Sequence, residues 1–309
     1  MNASGPVADL PFKNTTDGLK LTHNRAVLLM VVVTLMWSIA GVVTRHLEHA
    51  RSFEVTFWRS FFTALVLLVL LPVFQGRGVF GRMRSGGWAQ WVSGLCWCGM
   101  FTFFMIALTL TSTATVLVTM SIGPLLTALG ARVFIGHRIP LRTWFAILVA
   151  GAGIAYMFGS QLGQGLSFIG TLVALGVPVS GAANWTLTQH AHTQGQEVDL
   201  IPAVLIGAVL SCLLTLPLAF PFQASAHDLL LLAGLGLVQL AIPSALAVLC
   251  ARVLKAPEVS LLGLLEVVFG ILLAWLGANE VPGPQVLTGG ALVIGALVTN
   301  ELIGWKDRQ

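Results

Sequence analysis

Apolar residues run along the chain in blocks of roughly twenty, each closed by charge or by a Gly/Pro cluster. A helix rising 1.5 Å per residue needs about 20 such residues to cross ~30 Å of hydrocarbon, so each block predicts a membrane-spanning helix. Ten are expected: Ala26–Thr44, Phe53–Phe74, Trp88–Leu110, Thr113–Ile135, Thr143–Phe158, Leu166–Gln189, Leu200–Phe220, Leu229–Leu254, Ala256–Leu276 and Gln285–Ile303. The links between them are short and leave nothing for a soluble domain. Met1–Asn24 is polar and has no apolar core, so it reads as a tail and not as a cleavable signal peptide. The expected organisation is a cytoplasmic tail 1–25, a five-helix unit 26–160, a second five-helix unit 161–303 and a cytoplasmic tail 304–309.

Composition removes the soluble alternative. Apolar residues make up 56% of the 309 positions, mean hydropathy is +0.89 and only 9% are charged, against roughly 25% in soluble chains. One compact core could not hide that much apolar surface. The sequence pI near 9.2 does not point to nucleic acid, because the basic residues stand singly between apolar runs and form no patch. Their positions carry topology. With an internal N-terminus, thirteen of the 16 fall on the inner side, from Lys13, Lys20 and Arg25 through Arg138 and Arg142 to Lys306 and Arg308. Arg45 and Arg51 fall outside, and Arg59 lies within the second span. Short cytoplasmic loops retain Lys and Arg, so both termini are expected in the cytoplasm.

Ionisable and helix-breaking residues inside the spans mark the candidate chemistry. Glu266 sits near the middle of the ninth span, with Ser260, Gly263 and Gly270 near it at helical spacing. A carboxylate at that depth should face protein or water, and either meets a substrate ammonium, carries a coupling proton, or is a hydrogen-bonded structural group. Arg59 reads as a structural charge bonded to nearby carbonyls or snorkelling to the interface, with a substrate carboxylate as the alternative. Pro124, Pro178 and Pro243 are mid-span and predict kinks or hinges in the fourth, sixth and eighth helices, or kinks that only improve packing. Two stripes at i, i+3, i+4, i+7 are poorly suited to lipid: Thr34, Trp37, Ser38 and Gly41, and Gly181, Asn184, Trp185 and Thr188. Trp97, Met100 and Phe101 in the third span could stack on an aromatic guest, with Thr119, Gln239 and Ser244 as polar additions, or simply fill the core. Cys96 and Cys98 lack a second ligand pair at zinc spacing, so all four cysteines read as buried thiols. No metal site or cofactor is expected. All seven histidines lie at or beyond span ends, and no HExxH or phosphate-binding loop occurs, so an enzyme or an ATP-driven pump is not expected.

In the register that lays Thr113 over Lys255, a basic link containing Arg138 overlies an acidic link containing Glu280, with Pro140 over Pro282. An inverted second copy requires that reversal of charge. The same register sets Glu266 over Pro124, which departs from a strict two-fold site. Ten spans as five plus five, Trp37 among small residues in the first helix, the run Phe57-Trp58-Arg59-Ser60 and a Pro-bearing fourth helix together resemble the drug/metabolite transporter superfamily. The whole-chain pattern, with its Trp- and Phe-rich third span, looks most like the bacterial YddG-type exporters of aromatic amino acids. The resemblance implies an all-α basket of ten helices around a central cavity in the bacterial inner membrane. It implies a secondary transporter that exports aromatic or other hydrophobic amino acids by alternating access, as a monomer or weak homodimer. Lipophilic cations or other small metabolites are the alternative cargo, and a channel a more distant one.

Overall fold

The computed structural model describes residues 21–76, 78–84, 86–135, 140–161, 166–193, 201–251, 253–254, 259 and 262–306. Every regular element among them is helical. In chain order these are α1 (His23–Thr44), α2 (Ser52–Gln75), α3 (Val79–Arg84), α4 (Trp88–Leu110), α5 (Thr113–Met120), α6 (Gly123–Ile135), α7 (Leu141–Gln161), α8 (Leu166–Ala174) and α9 (Gly176–Thr193). They continue with α10 (Ile201–Ala219), α11 (Ala226–Gly234), a π-helical stretch (Leu235–Ala241), α12 (Ile242–Cys250), α13 (Leu265–Ala278) and α14 (Pro284–Lys306). Eight helical stretches among the described residues are long and apolar enough to cross a membrane, and Leu141–Tyr156 and Leu265–Ala278 are shorter apolar helices. Of the sequence expectations, Lys13, Lys20, Arg77, Arg138, Arg252, Lys255, Arg308, Ser260 and the Ala256 start of the ninth span lie outside the described residues.

Without water, hydroxyls inside such helices must be satisfied by the main chain. Accordingly the side chains of Ser38, Thr44, Thr63, Thr119, Thr188 and Thr215 each donate to the carbonyl one turn back, at 2.6–2.8 Å. The spans are not all continuous. A turn at Ser121–Ile122 separates α5 from α6, Leu175 interrupts α8 and α9, the π-helical stretch precedes Pro243, and a turn at Leu264 precedes α13. Pro124 and Pro178 fall in the first turn after an interruption, where the missing N–H has no intrahelical partner to lose, and Pro243 stands where the π-helical stretch passes into α12.

Along their lengths α4 packs on α10 and α9, α2 on α10 and the π-helical stretch, and α7 on α14. The remaining major pairings are α1 on α13 and α12, α6 on α9, and α5 on α13. Glycines permit a close crossing: a Cβ on Gly207 would lie 2.4 Å from the Cβ of Trp97, and one on Gly94 2.4 Å from Cγ2 of Ile206, so α4 and α10 approach almost backbone to backbone. Leu28, Val73, Phe134, Leu148 and Leu276 are among the large apolar side chains left on the outside, where lipid covers them.

Two buried carboxylates fasten the connections at the Arg45 end of the bundle. Glu54 accepts from the backbone amides of Gln223 and Ala224 at 2.8–3.0 Å. Asp228 caps α11 with Ser225 and accepts from the amides of Glu48, His49 and Ala50 at 2.8–3.0 Å. At the same end Arg45, which follows α1, forms an ion pair with Glu280 in the α13–α14 link.

Candidate functional site

A cavity of about 160 Å³ lies where the helix interruptions meet. Trp37 of α1, Met100 of α4, Pro124 of α6, Pro178 and Trp185 of α9, and Glu266 of α13 line it, so among the described residues one carboxylate faces a wall of aromatic, thioether and proline groups. Ser121 and Gly123 at one helix break, and Gly263 and Leu264 at another, bring main chain to the same space. Met30, Thr127 and Val259 extend the lining toward the His23 end of α1, away from Arg45. The Glu266 side chain is half-buried, and its carboxylate accepts no hydrogen bond among the described residues. Its backbone carbonyl accepts from Ser38 Oγ at 3.2 Å, which joins α13 to α1 beside Trp37.

Behind the wall runs a second polar chain. The fully buried Arg59 guanidinium donates from Nη1 to Gln239 Oε1 at 3.1 Å and from Nη2 to the Phe101 carbonyl at 2.8 Å. Its carbon centre lies 5.8 Å from the centroids of the Phe101 and Phe104 rings. Gln239, in the π-helical stretch, donates onward to the Trp37 carbonyl at 3.3 Å. Arg59 therefore holds main chain of α4 directly and of α1 through Gln239. It does not reach the cavity surface.

The other sequence candidates are placed away from the cavity. Trp97 is buried against Phe101, with ring centroids 5.4 Å apart, on the α4 face that meets α10. Asn184 accepts from Ser93 Oγ at 2.6 Å, and Thr119 is tied to its own helix at Thr115. Ser244 is fully buried, its hydroxyl without a partner, next to Pro243 at the start of α12. A larger apolar crevice of about 620 Å³ opens between α4, α6 and α9, lined by Trp88, Phe134 and Val179, but it carries no carboxylate among the described residues.

The decisive likeness is in the first half of the chain. Residues 24–159 match the EamA-like transporter family. The EamA-like segment runs from α1 into α7 and contains Trp37, Arg59, Met100 and Pro124, whereas Trp185 and Glu266 lie beyond it. No curated protein matches the chain in sequence at a significant level. Among solved structures, a protein known by its crystal structure shares the fold with a TM-score of 0.61 at 22% identity, over 91% of this chain and 99% of that one. With its long apolar helices and this family match, the chain is a multi-pass membrane protein. Met30, Met120 and Thr127 of the cavity were absent from the sequence candidates, although Met30 stands two helical turns from Trp37 and Thr127 one turn from Pro124.

Proposed function

We propose that the protein is a secondary transporter for small aromatic or hydrophobic solutes bearing an ammonium group, aromatic amino acids foremost, working by alternating access in the bacterial inner membrane. One observation carries the reading: a carboxylate, Glu266, alone among the described lining residues, faces a cavity walled by Trp37, Met100 and Trp185 where helices are broken. Aromatic faces and a thioether would hold an apolar ring, and the carboxylate its cation. Amine cations that lack a carboxylate are the second reading, favoured by the positions of Asn184, Gln239 and Ser244, which stand off the cavity wall and so present no donor there to a substrate carboxylate.

The working architecture is two inverted five-helix units, 26–160 and 161–303, with both termini cytoplasmic. In this reading α5–α6 form the fourth span, α8–α9 the sixth, α11–α12 the eighth and α13 the core of the ninth. Three features support it. Advancing each span by five turns the pairing of α1 with α13 into that of α9 with α6, α1 with α12 into α9 with α4, and α2 with the π-helical stretch into α10 with α4, and all six pairings occur. The break at Ser121–Ile122 overlies the one at Leu264 in the register that lays Thr113 over Lys255. The EamA-like match ends at 159, next to the expected unit boundary. The cavity then belongs to an inward-facing state, since its lining extends toward the N-terminal end of α1.

Counterflow by the purified protein in liposomes tests this, against a panel of amino acids and lipophilic amines with and without a pH gradient. Tryptophan or phenylalanine should exchange, and Glu266→Gln should slow the exchange at least tenfold. Exchange of lipophilic amines alone would select the second reading. A Glu266→Gln protein that exchanges every solute at the parent rate would remove Glu266 from the site.

A further inference from the structure

At the end of the bundle remote from the cavity, one guanidinium and one carboxylate join four chain segments. Arg45, the residue after α1, donates from Nε to Glu280 Oε2 at 2.9 Å, from Nη1 to the Leu108 carbonyl at 3.0 Å and from Nη2 to the Thr111 carbonyl at 2.7 Å. Glu280 in turn accepts from the backbone amide of Thr113 and, at 2.9 Å, from the Thr113 hydroxyl. The ring thus ties the end of α1, the end of α4 and the start of α5 to the link between α13 and α14. Directly beneath it the helices touch without space for water. A Cβ on Gly41 would lie 2.3 Å from Cγ2 of Thr113, and Ala40, Leu108 and Leu117 are fully or almost fully buried in one apolar cluster.

Its setting differs from that of the other two carboxylates at this end. Glu54 and Asp228 are wholly buried, and they fasten α2 and α11 to each other: Glu54 accepts from amides just before α11, and Asp228 from amides just before α2 as well as from its own cap. Arg45 and Glu280 remain partly open to water, with side chains 30% and 17% exposed. Water can hydrate both charges as they part, so the ring can be broken and remade without stranding a charge in an apolar core. The ring joins α1, α4 and α5 to the α13–α14 link, the contact that must part at this end when the cavity opens the other way, while the Glu54 and Asp228 contacts keep α2 and α11 together.

We propose that Arg45, Glu280 and Thr113 form the gate that closes the outer end of the pathway while the cavity faces inward. This rests on the transporter reading above, and it assigns the residues that set which side is open. The ring is intact in the inward-facing state and parted in the outward-facing one. Removing either charge therefore shifts the population toward outward opening, and removing the second adds nothing.

A single reporter cysteine at Ala40→Cys, about one turn below Arg45, reads the gate in the full-length protein. The native Cys96, Cys98, Cys212 and Cys250 are replaced by Ala, and a membrane-impermeant thiol reagent is applied to the outer face of proteoliposomes. Arg45→Ala and Glu280→Gln should each raise the labelling rate at least fivefold over the parent. The double variant should label no faster than the faster single one. Thr113→Val, which keeps both charges and loses one donor, should give a smaller rise and provides a mild variant if the charge deletions fold poorly. Parent-like labelling in all three single variants, or multiplicative effects in the double, would overturn the gate. Counterflow by the parent, measured in the same liposomes, reports the transporter reading separately: a parent that exchanges no solute refutes that reading whatever the labelling shows.

Discussion

Two tryptophans of similar appearance in the sequence have different surroundings, and their substitution should separate packing from binding. Trp185 is half-buried on the cavity wall, whereas Trp97 is wedged between Phe101 and the α10 backbone at Gly207. Trp97→Ala empties a core site and should cost about 3–5 kcal/mol, read as a lower thermal midpoint in detergent. Trp185→Ala should leave that midpoint nearly unchanged and raise the KM for tryptophan counterflow at least fivefold. Equal thermal losses in the two variants would contradict this division. Depth and helical spacing were sufficient to find Trp37, Met100, Trp185 and Glu266 in the sequence. They did not separate these from Trp97, Phe101, Asn184 and Gln239, because periodicity groups the residues of one helix face without saying which neighbour that face meets. Glu54, Asp228 and Glu280 were passed over for a related reason: a carboxylate near a link looks like an ordinary solvated charge until its amide partners, far away in sequence, are known.

At the scale of elements, the blocks of apolar residues located most helix ends to within a few positions: the third span is α4 residue for residue, and the second and seventh differ from α2 and α10 by one residue at each end. Interruptions were legible only where proline marks them. Leu264 has no proline beside it, and the π-helical stretch Leu235–Ala241 has an ordinary apolar sequence. Close helix approach depends on small residues at particular crossings: on Gly94 and Gly207 between α4 and α10, and on Gly153 between α7 and α14, where an added Cβ would lie 2.9 Å from the Gly289 carbonyl. Gly207→Ala forces Trp97 and the Cys98 backbone to move and should destabilise by about 1–3 kcal/mol. Gly151→Ala, where an added Cβ meets nothing within 4 Å, should instead leave the thermal midpoint unchanged or raise it, by up to about 1 kcal/mol from helix propensity. The pair of thermal midpoints checks both statements, and a loss at Gly151 matching that at Gly207 would contradict them.

For the whole molecule the bias of basic residues predicts a definite topology. Alkaline phosphatase fused after residue 306 should be inactive and fused within the link at Glu280 should be active, since the enzyme folds only after export. The opposite pattern would invert the proposed direction of the gate as well as that of the cavity. The proposed five-plus-five pairing of helices shows in the sequence only as hydropathy and link charge, because apolar contacts between spans tolerate almost any exchange of Leu, Val, Ile and Ala. The breaks at Ser121–Ile122 and Leu264 bear on how such a protein changes its cargo over generations. Point substitutions can exchange every side chain around the cavity, but they cannot delete the peptide groups that Gly123 and Gly263 bring to it. In the proposed transporter, a binding surface that is partly main chain keeps that part while Trp37, Met100 and Trp185 drift, so descendants can acquire new specificities without first inventing a new site.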